Sequence, residues 1–468
     1  MMKCLMKFSP LKIAPALLAG WMLLTALPLL AAQDGSIVIR KETGRLDADV
    51  RNWPLATLLA RLANTAGWQV LVEPGLEHSA SAKFKDLPVS DGLRMLLGNL
   101  NFALIPQTNG VPQLFVFRSS MNSATQLIQP AVTELPPPGS GLAITNELVV
   151  ILKPGASIDE LAKKLGAKVL GKIEGLNAYR LQFENAEATE AARTALAANS
   201  DVASVGSNYA LKTPPSPPNL LASSAPALGL QVKTPPASGR IVVGLVDTAI
   251  QPLGGGLDAF IQPQISVAGT AQPDPAAPTH ATTMAQTILT SLQNISGGST
   301  SVQILPVDIY GNSPSTTTFD VALGITRAVN AGANPINLSL GSTADSAFLH
   351  DVIRQAKQQG IVFFGAAGNQ PTTDPTYPAA YPEVTAVTAA DRQRQIASYA
   401  NRGNFVDIIA PGTGVVYYNG RPFLVNGTSA AAAFASGMAA GVAEAKGKPL
   451  SEVEAAMRQS LSVSGPGK

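Results

Sequence analysis

Hydrophobic and polar positions alternate along this chain with two different rhythms. From residue 239 to 465, short runs that are apolar nearly throughout alternate with longer stretches of helical spacing. The runs Ile241–Asp247, Val302–Ile309, Pro335–Leu340, Ile361–Gly365, Val384–Ala389 and Val406–Ile409 have the pattern of strands buried on both faces. Between them, Thr282–Leu292, Thr318–Ala331, Ser346–Gln359 and Ala430–Lys446 predict helices. Such alternation with short connections predicts an α/β unit, a parallel sheet with helices on both faces. Reactive groups then gather at the carboxyl ends of the strands.

Before residue 239 the elements are shorter and read as two small α+β domains. In residues 36–118, Ser36–Arg40, Trp68–Val72, Phe102–Ile105 and Gln113–Phe117 are strand-like, and Pro54–Ala63 and Val89–Leu97 are helical. In residues 145–210, the strands Asn146–Leu152, Ala178–Phe183 and Val202–Tyr209 enclose helices at Ile158–Leu165 and Ala186–Ala198. Proline punctuates the boundaries. Residues 129–141 carry Pro130 and Pro136, Pro137 and Pro138; residues 211–238 carry Pro214, Pro215, Pro217, Pro218, Pro226, Pro235 and Pro236. Both stretches read as linkers, and the second is the expected place of a maturation cut.

Residues 1–32 have the pattern of a secretory signal: Lys3, Lys7 and Lys12, then an apolar run from Ile13 to Leu30, then Ala31 and Ala32. The competing reading is a membrane anchor, since a span needs only about 17 apolar residues at minimum; the small residues at its end favour cleavage. Without this segment 30 basic residues face 31 acidic ones, which argues against a nucleic-acid partner. The lone cysteine, Cys4, leaves with it, so the rest of the chain has neither disulfides nor a thiolate metal site.

Candidate chemistry starts at Ser429, in Asn426-Gly427-Thr428-Ser429, where a strand-like run meets an Ala-rich helix. A serine there faces free backbone N–H groups and the positive end of the helix dipole. The plain alternative is a helix-capping serine. A nucleophilic serine needs a base and an orienting acid. The base candidate is His280, at a small-residue entry to a helix; the acid candidate is Asp247, at the end of a buried strand. Asn369 closes the strand-like run before it and could offer an amide donor to an oxyanion. His78 and His350 sit in no comparable motif.

The stretches Val246–Ile250, Thr279–Thr282, Asn337–Gly341, Ala366–Asn369, Tyr377–Pro382, Asp407–Gly412 and Gly427–Ser429 resemble, in order, the motifs of the subtilase (subtilisin-like serine protease) family. The resemblance implies a subtilisin-like fold for 239–465 and an Asp247–His280–Ser429 triad. It also implies an oxyanion hole that includes Asn369, and substrate-binding edges at Ser339, Leu340, Gly341 and at Ala366, Ala367, Gly368. Three positions depart from the family pattern: Ala249 and Ala281 where glycine is usual, and Ala433 where proline is usual. Residues 145–210 resemble the family's inhibitor-like propeptide, which implies a zymogen that processes itself. Residues 36–118 resemble the short N-terminal domain of secretins and TonB-dependent receptors. That resemblance rests on Leu58–Ala63 and Phe84–Leu93, and implies a Gram-negative periplasmic or secreted location and an envelope protein partner. Subtilases often bind calcium after the helix that carries the histidine; here Asn294–Ser299 has no carboxylate, so this particular site is expected to be absent or weak, and no cofactor is expected, with calcium left open for want of a clear site. The sequence thus reads as an exported serine endopeptidase acting on polypeptides. The alternative is a subtilase-fold peptide-binding protein of the envelope that no longer cuts.

Overall fold

The computed structural model describes residues 35–40, 44–76, 78–105, 112–128, 143–215, 217, 228–237 and 239–463. The expected signal at 1–32 and the linker at 129–141 lie outside the described residues, as do positions 216, 218–227 and 238 of the linker at 211–238. The first part of the chain runs Gly35–Arg40 (β1), Arg45–Pro54 (β2), Leu55–Ala66 (α1), Gln69–Val72 (β3), Ser79–Pro88 (β4), Val89–Leu97 (α2), Asn101–Ile105 (β5), Gln113–Phe117 (β6) and Gln126–Ile128 (β7). Next come Ala143–Leu152 (β8), Ile158–Leu165 (α3), Lys168–Ile173 (β9), Ala178–Gln182 (β10), Ala186–Ala197 (α4) and Val202–Lys212 (β11).

The last part opens with Gln231–Val232 (β12), Val242–Asp247 (β13), Ile265–Ser266 (β14), His280–Ser296 (α5), Ser299–Thr300 (β15), Gln303–Asp308 (β16), Ser315–Thr317 (β17), Thr318–Asn330 (α6) and Ile336–Leu338 (β18). It continues with Ala347–Gln358 (α7), Phe363–Ala366 (β19), Val384–Ala390 (β20), Ile408–Pro411 (β21), Thr413–Tyr418 (β22), Arg421–Asn426 (β23), Thr428–Lys446 (α8) and Leu450–Ser460 (α9).

Seven parallel strands in the order β14-β16-β13-β18-β19-β20-β21 form the central sheet. Its strands are apolar because both faces are covered. On one face, α6 and α7 build a core with Phe319, Ile325, Phe348 and Ile353. On the other, α5 and the Ala-rich α8 pack among Met284, Ile288, Leu289, Ala433 and Ala440. Alanine and glycine in α8 let the two helices come close. A Cβ on Gly437 would stand 2.6 Å from the Ile288 carbonyl oxygen and 2.9 Å from the Ser291 Cβ.

Contacts divide the chain into two compact units. Of the described residues, one holds those up to Leu58 together with His78–Gly98; the other holds those from Leu59 to 76 and from Asn99 onward. The first contains the antiparallel sheet β1-β2-β4, with Leu46, Trp53 and Leu93 buried. The second contains the sheet β5-β6-β3-β7, the prodomain-like sheet and the central sheet. The single independent domain expected at 36–118 is therefore split. The physical reason lies in β7, which pairs antiparallel with β3, and in an apolar cluster that joins Leu71, Phe115 and Ala124 to Leu424 of β23. Two polar contacts reinforce it: the Asn426 amide donates to the Thr125 carbonyl (3.2 Å), and the Ser398 hydroxyl donates to Gln126 (2.9 Å).

The βαββαβ unit at 143–212 pairs its strands in the order β11-β8-β10-β9, with α3 and α4 over one face. Its other face meets α6 through a buried polar network. Arg180 forks onto Glu147 (2.8 and 2.9 Å) and reaches Asp320 at 3.2 Å. Asn208 donates to Glu147 (2.8 Å) and accepts from the Thr318 hydroxyl (3.0 Å) and the Phe319 N–H (3.1 Å).

Candidate active site

Asp247 is the last residue of β13 and is 1% exposed. The next turn ties its side chain down, since the Thr248 N–H donates to Oδ1 at 2.7 Å. His280 is the first residue of α5, whose cap is Thr279: its hydroxyl accepts from the Thr282 N–H. The same cap is laced to the loop after Asp247. The Thr279 hydroxyl donates to the Ala249 carbonyl (2.7 Å), and the Thr279 N–H donates to Gln251 (2.7 Å). This lacing carries the His280 ring to Asp247, with Nδ1 2.8 Å from both carboxylate oxygens. With Nδ1–H donating to the carboxylate, Nε2 is the free, basic nitrogen.

Ser429 is the second residue of α8, behind the cap residue Gly427. Its hydroxyl donates to the Ser339 carbonyl at 3.1 Å. A hydroxyl carries one proton, so in this arrangement it is parked on Ser339 and not on His280. The Ser339 hydroxyl in turn donates to the Ser429 carbonyl (2.9 Å) and accepts from Asn337 (2.8 Å), which also accepts from Ser436 (3.1 Å). This buried chain pins the start of α8 to the end of β18. Satisfied networks of this kind fix one arrangement, because breaking a single link leaves buried groups unpaired.

Asn369 follows the end of β19. Its Oδ1 accepts from the Thr428 N–H (2.8 Å) and the Thr428 hydroxyl (3.1 Å). Both contacts are donors, so the amide oxygen faces α8 and the NH₂ group is the part left to offer. Gly427 makes this fit possible: its φ is +148°, and a Cβ there would press to 3.0 Å of Asn369 Nδ2. His280, Asn369 and Ser429 line one cavity, together with Thr283, Met284, Val425 and Asn426. Leu424 and Ala430 line it too, and further walls come from elsewhere in the chain: Leu127 of β7, and Pro214, Pro215 and Pro217 beyond β11.

Among the residues expected at the substrate edges, Ser339, Leu340, Ala366 and Ala367 are buried, while Gly341 is exposed and Gly368 half-buried. The side chain of Ser339 holds α8, so these stretches can offer only backbone to a bound peptide. The departures Ala249, Ala281 and Ala433 are buried, the latter two in the apolar core between α5 and α8. Neither His78 nor His350 lines the cavity. His78 lies 2.8 Å from the Leu96 carbonyl; His350 pairs with Glu383 (2.9 Å) and stacks on Tyr381. Among the described residues no group of three or more His, Cys, Asp and Glu could hold a metal ion.

The sequence reading gave no role to four residues that matter to this site. Thr428 accepts from the Gly368 N–H and donates to Asn369, joining two motifs. Asn337 and Ser436 anchor α8; the signal was a lone polar residue inside an apolar strand, which needs a buried partner. Asp308 sits beside Asp247 in the register of β16 on β13, fully buried. Its Oδ1 accepts from the Tyr310 and Gly311 N–H groups, and Oδ2 has no partner among the described residues. Burial pushes the Asp308 carboxyl above the usual carboxylate range; the two amides oppose this, and the Asp247 charge adds to it.

The subtilase family profile matches residues 238–463, and a fervidolysin N-terminal prodomain profile matches residues 131–208. Thermitase of Thermoactinomyces vulgaris is 34% identical over 192 residues, which cover 40% of this chain and 68% of that protein. Subtilisin Savinase of Lederbergia lenta is 31% identical over 226 residues, covering 45% of this chain and 81% of that protein. The chain belongs to the subtilase family. It is a subtilisin-like serine protease with a prodomain. The crystal structure of fervidolysin from Fervidobacterium pennivorans, a keratinolytic enzyme related to subtilisin, superposes with a TM-score of 0.51 at 18% identity. It covers 68% of this chain and 58% of that one, and shows the shared fold.

Proposed function

We propose that this subtilase is an exported endopeptidase whose triad is Asp247, His280 and Ser429, with Asn369 Nδ2 and the Ser429 N–H as oxyanion donors. The observation that carries the reading is the fixed polarity of the cavity. His280 is bound to Asp247 through Nδ1, and Asn369 is tied back through its oxygen, so a basic nitrogen and an amide donor are left for the space beside Ser429. A peptide carbonyl seated there is attacked by Ser429 Oγ once its hydroxyl turns from Ser339 to His280. Its proton passes to Nε2 and then to the leaving nitrogen as the C–N bond breaks. Water, activated by the same nitrogen, hydrolyses the acyl-enzyme and regenerates Ser429. No step uses a metal. Export follows from the pattern of residues 1–32, and docking of residues 36–118 to an envelope partner is the remaining part of the reading.

The test is labelling by a fluorophosphonate, followed by turnover of a short peptide. Wild type freed of its prodomain should label, and Ser429→Ala should not. Asp247→Asn should lower kcat by about 10⁴, since the wrong tautomer is then held. The reading fails if wild type and Ser429→Ala label alike. The non-cutting alternative rested on Ala249, Ala281 and Ala433, which remove no reacting group and sit in packed surroundings.

A further inference from the structure

Asp247 has a neighbour that the triad does not use. The register of β13 on β16 sets Asp247 beside Asp308, each the last residue of its strand. Backbone bonds hold the pair on both sides: the Ile309 N–H donates to the Asp247 carbonyl (3.0 Å), and the Val267 N–H donates to the Asp308 carbonyl (2.9 Å). Val243 and Leu245 of β13 and Ile304 of β16 belong to the core that contains α5. Val246, Val307 and Ile309 belong to the opposite core, with α6 and α7. Side chains alternate along a strand, so Asp247 and Asp308 both point to the α5 side, where His280 begins the helix. Neighbouring strands lie only about 4.8 Å apart, so two carboxyls on one rung feel each other strongly.

The contacts of Asp308 do not call for an acid. Oδ1 takes the Tyr310 and Gly311 N–H groups (3.0 and 2.9 Å), which an asparagine oxygen would do as well. Oδ2, in a fully buried side chain, meets no donor among the described residues. The surrounding groups bring no compensating cation of their own. From β13 comes Asp247 with His280 of α5 bound to it, β14 brings the uncharged Ser266, and the turn after β16 brings Tyr310. Burial pushes the Tyr310 hydroxyl up, so it stays neutral. Burial foremost, and the Asp247 charge with it, push the Asp308 carboxyl up against the pull of its two amides. A buried acid without a partner is costly, and the cost is understood where its charge is used.

We infer that Asp308 is a second acid behind the triad: its negative charge, set beside Asp247, stabilises the imidazolium that His280 becomes when it takes the proton of Ser429. The inference rests on the catalytic reading of Ser429 and deepens it. Asp308 touches no reacting atom. It is a positioning residue that acts through the Asp247–His280 pair, and it adds a negative charge where the transition state gains a positive one. That charge is present above the titration of the Asp308 carboxyl and is lost as pH falls through it.

The test is the pH profile of Asp308→Asn, which keeps an oxygen for Tyr310 and Gly311 and removes the charge. Wild type, Asp308→Asn and the exposed control Glu174→Gln are each cut at a site inserted in 219–227, and kcat and KM for a short peptide are measured across pH. A unit charge roughly 8 Å from the imidazolium, at an effective dielectric constant of about 20–60, shifts its titration by roughly 0.5–1.5 pH units. Asp308→Asn should therefore move the acid limb of kcat down in pH by that amount and lower the kcat plateau about 3- to 30-fold, with KM little changed. Glu174→Gln should match wild type. An acid limb and plateau unchanged in folded Asp308→Asn overturn the second acid and leave the triad standing. If Asp308→Asn does not fold, NMR of the His280 ring in full-length Ser429→Ala decides, with the signal assigned by its loss in His280→Gln. Two inflections in that ring's titration support the coupling, and a single one overturns it. If wild type neither labels at Ser429 nor turns over peptide, the catalytic reading falls and the second acid with it.

Discussion

Asn208 gives the sharpest quantitative handle on how the prodomain is held. It is fully buried and contributes three hydrogen bonds, two of them to the first turn of α6. Replacing it with Ala leaves the Phe319 N–H and the Thr318 hydroxyl without this acceptor. Glu147 loses one donor but keeps both contacts to Arg180, so no bare charge is created. The Thr318 hydroxyl also retains its contact with the Tyr209 N–H. The cost is therefore that of one buried N–H and one partly served hydroxyl, about 1–3 kcal/mol for the first and less for the second. A total of about 2–4 kcal/mol corresponds to a roughly 30- to 1000-fold weaker hold. The assay uses the chain cut at a site inserted in 219–227. Diluting the cut protein releases the prodomain, and the concentration at which peptidase activity reaches half its maximum reports the Kd. Glu174→Gln, on a side chain that is 88% exposed, is the control and should change nothing. A shift under threefold for Asn208→Ala, with unaltered melting of the uncut chain, would refute the claim that this network carries the interface.

Three further outcomes are expected. Asn369→Ala removes the proposed oxyanion donor and should lower kcat by about 10²–10³ with little change in KM; a loss carried by KM would assign Asn369 to substrate binding. Asp308 has a folded-state pKa raised by burial, so in the window just above the ordinary carboxylate range the folded state keeps a proton that the unfolded state releases. Its contribution favours folding at low pH and is lost as pH rises through the raised value, so Asp308→Asn should flatten the dependence of Tm on pH there, and an unchanged slope contradicts this. Deleting residues 36–128 strips Leu71, Phe115 and Ala124 from Leu424 and should lower the Tm of the protease, where an independent N-terminal domain predicts no change.

The central sheet was legible in the sequence because burial on both faces leaves continuous apolar runs, and every predicted strand from Ile241 to Ile409 has a counterpart in it. The helices were legible for the complementary reason, a period of 3.6 with caps such as Thr317 and Ser346. Strands β2 and β4 were not predicted. Their sequences, RLDADVRNWP and SASAKFKDLP, are polar along one face and broken by charges that pair across strands, as Lys83 does with Asp49. A strand with one solvated face and short side chains gives a weak signal. The candidate reacting groups were picked out from motif order. What fixes them was not, because Ser339, Asn337 and Ser436 act through contacts between elements far apart in sequence.

The least legible feature is the origin of the cavity walls. The hairpin β22–β23 leads straight into Ser429, and its two sides are held by different parts of the chain. Gln286 of α5 exchanges two hydrogen bonds with the Tyr417 backbone, while Leu424 and Asn426 are held by Leu71, Phe115 and Thr125. Leu127 follows within the same stretch and reaches the cavity itself. No pattern in residues 112–128 points to a protease, because a short apolar strand is satisfied by any apolar partner. Placement alone gives it a role: the segment packs on the hairpin whose end sets the start of α8, and its Leu127 lines the candidate cavity. A substitution such as Leu127→Ala should therefore act on substrate selection and leave labelling of Ser429 intact. Peptides that differ at one residue on either side of the cut bond would reveal it as a change in the ratio of their kcat/KM values. Equal ratios in variant and wild type would mean that Leu127 only packs, and that the wall it forms does not meet the substrate.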